Sequence, residues 1–369
     1  MVCVGLGLLW PVWFGLNGSL HWGLENSKER RDEKLINSPE NVVAESVEGF
    51  ALAHGDIVKR FTEPLFVARA QKKEQGKVAI VSGGGSGHEP LHAGFVGHGM
   101  LDAAVPGAMF TSPTSDAIQA GTDEVHAGAG VLYIVKNYTG DVLNFDTAAE
   151  LAEFDDIEVG QVIVDDDVAV EDSNYTAGRR GVAGTLLVEK LAGAAAERGD
   201  DLAAVTAVAK KVVENTATMG AALNACTVPH VGKPSFDLAD DEVELGVGIH
   251  GEPGRKEIPL VSADDVTDHL MEPILADLKL AEGERTIVVV NGMGATPASE
   301  LYVVYRRVAQ RLEEAGVTIE RSLVGNFVTS LDMAGCSVTV MRADDKDIEL
   351  FDAPSVSYTH LTLPTNREV

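Results

Sequence analysis

The sequence predicts an α/β fold of two domains, each a mixed or parallel sheet flanked by helices. Between about residues 35 and 352, short β-branched runs alternate with glycine or polar turns and then helical stretches. The 369 residues include 38 glycines against 5% aromatics, as many tight strand-to-helix corners require. A chain of this length accommodates two domains of ~100–200 residues each.

Residues 77–82 (KVAIVS), 130–137 (GVLYIVKN) and 160–167 (GQVIVDDD) are candidates for buried strands. Ser112-Pro113 and Thr296-Pro297 each place a capping hydroxyl before a proline at a first helical position. Over 183–198, Ala183, Leu186, Leu187, Leu191, Ala194 and Ala195 mark one face of an amphipathic helix, and the alanine-rich 192–209 reads as good helix. After a helical stretch ending near Asn215 a second set begins: MGAALNACTVP, ELGVGIHGEPG, TIVVVNGMG, TIERSLVGNFVTS and SVTVMRAD. The boundary is placed near 216, giving domains over 34–216 and 217–354.

Residues 1–33 are expected to be a non-native or disordered extension. Their first 24 are apolar and tryptophan-rich, but the cations follow the apolar stretch, and Pro11 and several glycines interrupt it. A signal anchor is the alternative. The tail, 355–369, loses the acidity of the rest and resembles adaptor read-through. Neither end is expected to carry function.

Asp and Glu total 57 against 29 Lys and Arg, a net charge of −28 that argues against nucleic acid and anionic membrane as partners. A solvated acidic surface suits a salt-rich cytosol that screens self-repulsion, and loss of structure at low salt is the expected consequence. Cys3, Cys226 and Cys336 lie far apart with no CxxC, which offers neither a zinc pattern nor a disulfide framework and fits a reducing cytosol. Cys226 and Cys336 read as inert core residues.

The segment with most chemical content is SGGGSGHEP, 82–90. It lacks the Lys-Ser or Lys-Thr of a P-loop and breaks the dinucleotide fingerprint at its sixth position, and the kinase H-R-D and D-F-G pairs are missing from the sequence. Either it brings backbone amides near something small, with His88 at its mouth, or it is a tight turn with a surface histidine. In open α/β sheets ligands sit beyond the carboxyl ends of strands. There Gly85, Ser86, Gly87 and His88 would meet Lys136, Asn137 and Asp141 from KNYTGD, and Asp165, Asp166 and Asp167. In GVGIHGEPG, His250 is either structural or functional, and its flanking glycines strip bulk from around the imidazole. A metal site from His88, His250 and Asp165–Asp167 is conceivable, although no HxH or HExxH spacing supports it.

Eight motifs in order resemble the substrate-binding K subunit of dihydroxyacetone kinase. They are KLINSPENVV, SGGGSGHEP, FTSPT, KNYTGD, DDDVAV with YTAGRRG, GIHGEPG, NGMGATPASELY and SLDMAGCS, running from about Lys34 to Pro354. The resemblance implies that His250 bonds covalently to the substrate carbonyl carbon as a hemiaminal, with His88 and Asp141 as an acid–base pair. It implies that Gly85 to Gly87 and Lys136 hold the other substrate oxygens. It further implies a phosphoenolpyruvate-dependent phosphotransferase of split type, cytoplasmic and homodimeric. No cofactor or metal is expected in this chain; ADP and Mg are expected on a separate L subunit recharged by a phosphoryl-carrier chain. A non-catalytic sugar sensor of the same lineage is the alternative.

Overall fold

Twelve strands among the described residues form two six-stranded mixed sheets. The first holds β1 (Val58–Thr62), β2 (Leu65–Arg69), β3 (Ala79–Ser86), β4 (Ala103–Met109), β5 (Val131–Lys136) and β6 (Val159–Val164), in the order β1-β2-β4-β3-β5-β6. Its β4-β3-β5-β6 portion is parallel and its β1-β2-β4 edge antiparallel. The second holds β7 (Thr216–Ala222), β8 (Glu242–Leu245), β9 (Lys256–Pro259), β10 (Arg285–Gly292), β11 (Thr318–Gly325) and β12 (Gly335–Arg342), in the order β11-β10-β12-β7-β8-β9. There only β10 and β11 run parallel. The helices are α1 (Val42–Ala53), α2 (Ser115–Val125), α3 (Thr139–Phe154), α4 (Thr185–Arg198), α5 (Leu202–Glu214), α6 (Ala263–Leu278), α7 (Ala298–Glu314) and α8 (Asp345–Asp352).

This computed structural model describes residues 34–71, 75–169 and 177–357. The readings of residues 1–33, Cys3 included, and of the tail from 358 lie outside the described residues. The described residues from 37 onwards form one compact unit, which is the one described here. None of the described helices is long and apolar enough to cross a membrane.

The glycine run differs from its expected form. It was expected just past a strand ending at 82, but β3 continues through Ser86, pairing Gly83 with Val105 and Gly85 with Gly107. A Cβ on Gly83 would lie 2.6 Å from the Val105 carbonyl oxygen, and one on Gly85 would lie 2.6 Å from the Thr111 nitrogen. The glycines therefore let the chain past 107 fold tightly over the strand. The turn itself begins at Gly87, whose φ of 106° favours glycine.

The amphipathic reading of 183–198 also needs correction. Every residue of α4 from Thr185 to Ala196 is buried, Glu189 and Lys190 among them. One apolar core joins Ile80, Leu132, Ile134 and Val164 of the first sheet to Leu187 and Leu191 of α4, and then to Ile287 and Val289 of the second. Covered on all sides, α4 has no solvent face for a polar stripe to occupy. Lys190 caps the end of α8, donating to the carbonyls of Leu350 (2.9 Å) and Ala353 (3.0 Å). The alanine-rich stretch is broken as well. Gly199, at φ 96°, ends α4, and the Asp201 carboxylate caps α5 by accepting from the Ala204 amide at 2.8 Å.

Both proline-marked helix starts fall later than expected. The α2 helix begins at Ser115, behind Thr114. Ahead of α7, Pro297 itself is the extended cap residue, because the Thr296 hydroxyl is used elsewhere: it donates to the Gly335 carbonyl (2.7 Å) and accepts from the Gly335 amide (2.8 Å). Cys226 and Cys336 are buried, and burial pushes the Cys336 thiol up to about 12, which leaves it unreactive.

Gly193 tests the central position of α4. An added Cβ would lie 2.5 Å from the Met100 Cα and 2.7 Å from the Gly99 carbonyl oxygen. Alanine gains ~1 kcal/mol of helix propensity, whereas overpacking against backbone costs ~1–3 kcal/mol. Gly193→Ala is therefore expected to lower the urea midpoint; an unchanged or raised midpoint would mean that α4 is not held against the 99–100 turn.

Candidate active site

Four connections converge at one place: the turn after β3, the start of α3, the β8–β9 connection and the β11–β12 connection. The last of these straps the first, with the Leu331 amide donating to the Gly87 carbonyl (2.9 Å) and the Thr329 amide to that of His88 (3.2 Å). The Thr329 carbonyl also lies 2.8 Å from His88 Nδ1. A carbonyl only accepts, so Nδ1 carries the proton and Nε2 presents a lone pair. That Nε2 is buried and has no partner among the described residues. Burial holds His88 well below the ordinary histidine range, with the neighbouring His250 and Lys136 adding to the effect, so the ring is neutral.

His250 stands edge-on to three rings. Centroid distances are 4.6 Å to His88, 4.4 Å to Tyr138 and 5.5 Å to Phe110. Its Nδ1 lies 3.3 Å from Glu252 Oε1, and its backbone amide donates to Glu252 Oε2 at 2.9 Å. With Nδ1 held by a carboxylate, Nε2 is the nitrogen available for chemistry. Burial opposes ionisation of Glu252, but the His250 contacts and the Arg180 guanidinium outweigh it and hold the carboxyl at about 2. The flanking glycines, expected to leave space for a ligand, make space for protein instead. A Cβ on Gly248 would lie 2.1 Å from Glu252 Oε2, and one on Gly251 would lie 2.4 Å from Ser235 Oγ.

Asp141 occupies the first turn of α3, where backbone amides favour a negative charge. It is buried, its Oδ1 has no partner among the described residues, and its Oδ2 lies 3.8 Å from Lys136 Nζ. Asp141 and His250 line a cleft of about 470 Å³ with Phe110, Ser112, Tyr138, Thr139 and Gly140.

The structure thus brings His88, Asp141 and His250 together and places the other predicted residues around them. Lys136 is wholly buried behind Asp141, and a Cβ on Gly84 would lie 2.2 Å from its Nζ. The Ser86 hydroxyl donates to the Gly107 carbonyl at 2.7 Å, Gly85 lies in the β3–β4 ladder, and the Gly87 amide donates to the Glu89 carboxylate at 3.1 Å. Asp166 and Asp167 were expected in the crevice but are used structurally. Asp166 accepts from the amides of Val182 (2.8 Å) and Gly184 (2.7 Å), and Asp167 from Arg180 Nε (2.7 Å). Arg180 in turn donates to the Gly246 carbonyl at 2.7 Å, steadying the segment that leads to His250. Among the described residues no group of three or more His, Cys, Asp or Glu is arranged to hold a metal. Tyr138, Glu252 and Thr329 were not foreseen as site residues, although Tyr138 lies inside KNYTGD and Glu252 lies two positions after His250.

Fold and site together define a two-sheet α/β protein with paired imidazoles close to a cleft that a buried carboxylate lines. The chain belongs to the Dak1 domain family, whose model matches residues 48–359. It is 52% identical over 314 residues to the PTS-dependent dihydroxyacetone kinase 1 dihydroxyacetone-binding subunit DhaK of Listeria innocua, covering 85% of this chain and 95% of that protein. It is 49% identical over 346 residues to the PEP-dependent DhaK of Escherichia coli K12, covering 87% and 97%. The dihydroxyacetone kinase operon co-activator Dha-DhaQ superposes with a TM-score of 0.82 at 35% identity, covering 86% of this chain and 98% of that one.

The depressed Glu252 value makes a pH prediction. A carboxyl held below its ordinary 4.5 contributes stability that is present above that value and lost as pH falls towards about 2. Glu252→Gln should therefore flatten the decline in urea midpoint across that window. Equal slopes in the two proteins would show that the Glu252–His250 contact is not made in solution.

Proposed function

We propose that this chain is the dihydroxyacetone-binding subunit of a phosphoenolpyruvate-dependent dihydroxyacetone kinase, a phosphotransferase with an alcohol group as acceptor. The observation that carries the reading is the meeting of Asp141 and His250 at one cleft, with the His88 ring 4.6 Å from that of His250, in a chain about half identical to such subunits. The lone pair of His250 Nε2 adds to the carbonyl carbon of dihydroxyacetone, and the C=O π electrons move to oxygen. The one proton that Nδ1 gives up is matched, through water, by the one the new alkoxide takes to become a hydroxyl, and the Glu252 carboxylate that faces Nδ1 ends ionised as it began. The bare Nε2 of His88 accepts a hydrogen bond from the hemiaminal hydroxyl. Asp141 accepts the proton of a terminal hydroxyl as that oxygen attacks phosphorus; a positioned base of this kind contributes ~10²–10⁴-fold. Phosphoryl transfer otherwise needs positioning and charge neutralisation, which an L subunit bearing ADP and Mg supplies after recharging by a phosphoryl carrier. Gly85, Gly87 and Lys136 support the sugar-facing wall. The subunit works as a homodimer in the cytoplasm.

Likeness to the operon co-activator supports a second reading, a sugar-sensing regulator. The higher identity to kinase subunits, 52% against 35%, favours catalysis.

The assay combines the purified chain, dihydroxyacetone, an L subunit and its phosphorylated carrier. Dihydroxyacetone phosphate should form there and not with ATP and magnesium alone. Asp141→Asn should still bind the sugar while turnover falls ~10²-fold or more. Near-wild-type turnover in that variant would displace Asp141 as the base, and binding without transfer by the wild type would favour the sensor.

A further inference from the structure

Behind Asp141, three ionisable groups form a line into the core. Lys136 Nζ lies 3.8 Å from Asp141 Oδ2 and 2.8 Å from His92 Nε2. His92 Nδ1 lies 2.5 Å from Glu189 Oε1 and 3.1 Å from Ser82 Oγ. The Ser82 hydroxyl donates to the Ile134 carbonyl at 2.7 Å, so towards His92 it can only accept. Lys136 and Glu189 are fully buried and His92 nearly so. A carboxylate in the middle of a wholly buried helix costs several kcal/mol unless it is compensated, and packing alone gives no reason for one at 189.

We propose that Glu189, His92 and Lys136 form a proton relay that presents a cation to Asp141 while Asp141 is ionised and withdraws it once Asp141 has taken a proton. Two arrangements with the same number of protons fit the distances. In the first, the Lys136 ammonium donates to the bare Nε2 of His92, whose Nδ1–H donates to the Glu189 carboxylate. In the second, Lys136 has passed one proton to Nε2 and Nδ1 has passed one to Glu189, leaving all three groups neutral. No proton enters or leaves the three residues, and no bond other than N–H and O–H changes. A negative Asp141 favours the first arrangement and burial favours the second. Burial pushes Glu189 up to about 8 against the pull of Lys136, and it lowers Lys136 against Asp141 and Glu189. Burial, Lys136 and His88 keep His92 well below its ordinary range, so His92 passes protons on and does not store one. The other titratable groups near the line are His88, beside His250, and His54, just past α1, with Glu89; the last two line a cavity of about 320 Å³ together with His92. Glu189 and His92 are positioning residues, since they act through Lys136.

The coupling to catalysis rests on Asp141 being the base; the state of the histidine does not. In full-length protein labelled with ¹⁵N-histidine, His92 should carry its proton on Nδ1, and Asp141→Asn, which removes the negative charge, should move it to Nε2. The same tautomer in both proteins would overturn the relay. Glu189→Gln keeps the shape but cannot take the proton. With the partner and carrier supplied it should lower kcat ~10-fold or more, by analogy with lost proton-transfer steps, change KM for dihydroxyacetone less than ~2-fold and leave the ¹⁵N pattern of His250 unchanged. Wild-type kcat in that variant would equally overturn the proposal, whereas absence of transfer by the wild-type protein would count against the kinase reading and leave the tautomer result standing.

Discussion

The hydrogen bond between His88 Nδ1 and the Thr329 carbonyl is the contact on which the site depends. It joins the turn after β3 to the β11–β12 connection and so ties the first sheet to the second. It fixes the proton on one nitrogen and leaves the other bare inside the protein, where an unsatisfied acceptor costs ~1–3 kcal/mol. That cost is tolerated because amide bonds from Thr329 and Leu331 hold the same turn. An acceptor kept unpaired beside a second imidazole supports the proposed ligand site.

The same economy of partners runs through the wall behind the cleft. Asp166 and Asp167 spend their oxygens on backbone amides and on Arg180, and Arg180 carries that order across to the segment before His250. Glu252 then folds back over Gly248 to hold the His250 ring. The result is an imidazole whose direction is set by groups packed behind it, as the proposed nucleophile requires. Lys136, His92 and Glu189 perform the corresponding task for Asp141 from the other side.

Much of this was legible in the sequence, and what was missed has physical causes. Strands β5, β10 and β12 announced themselves as β-branched runs because burial on both faces demands them. His88, Asp141 and His250 could be singled out because each lies in a short motif that follows a strand candidate: SGGGSGHEP, KNYTGD and GIHGEPG. The glycine run was read as a loop because composition does not distinguish a strand crowded by a neighbouring backbone from a turn. Glu189 was invisible because a helix with two charged residues in its middle looks amphipathic, and it is the packing of α5, α8 and the first sheet around α4 that buries them. Thr329 escaped because its role depends on a contact with His88, 241 residues away in sequence, and Glu252 because nothing in GIHGEPG shows that its carboxylate folds back onto the His250 ring.

The central claim is that His250 Nε2 forms a bond to the carbonyl carbon of the sugar. Carbon-13 NMR of dihydroxyacetone labelled at its central carbon, added to the wild-type chain and to His250→Ala, tests it most directly. The account predicts that with wild-type protein the bound signal leaves the carbonyl region for that of a tetrahedral carbon bearing oxygen and nitrogen, and that the variant gives no such signal. A bound sugar whose central carbon remains a carbonyl, or a tetrahedral adduct that survives loss of His250, would contradict it.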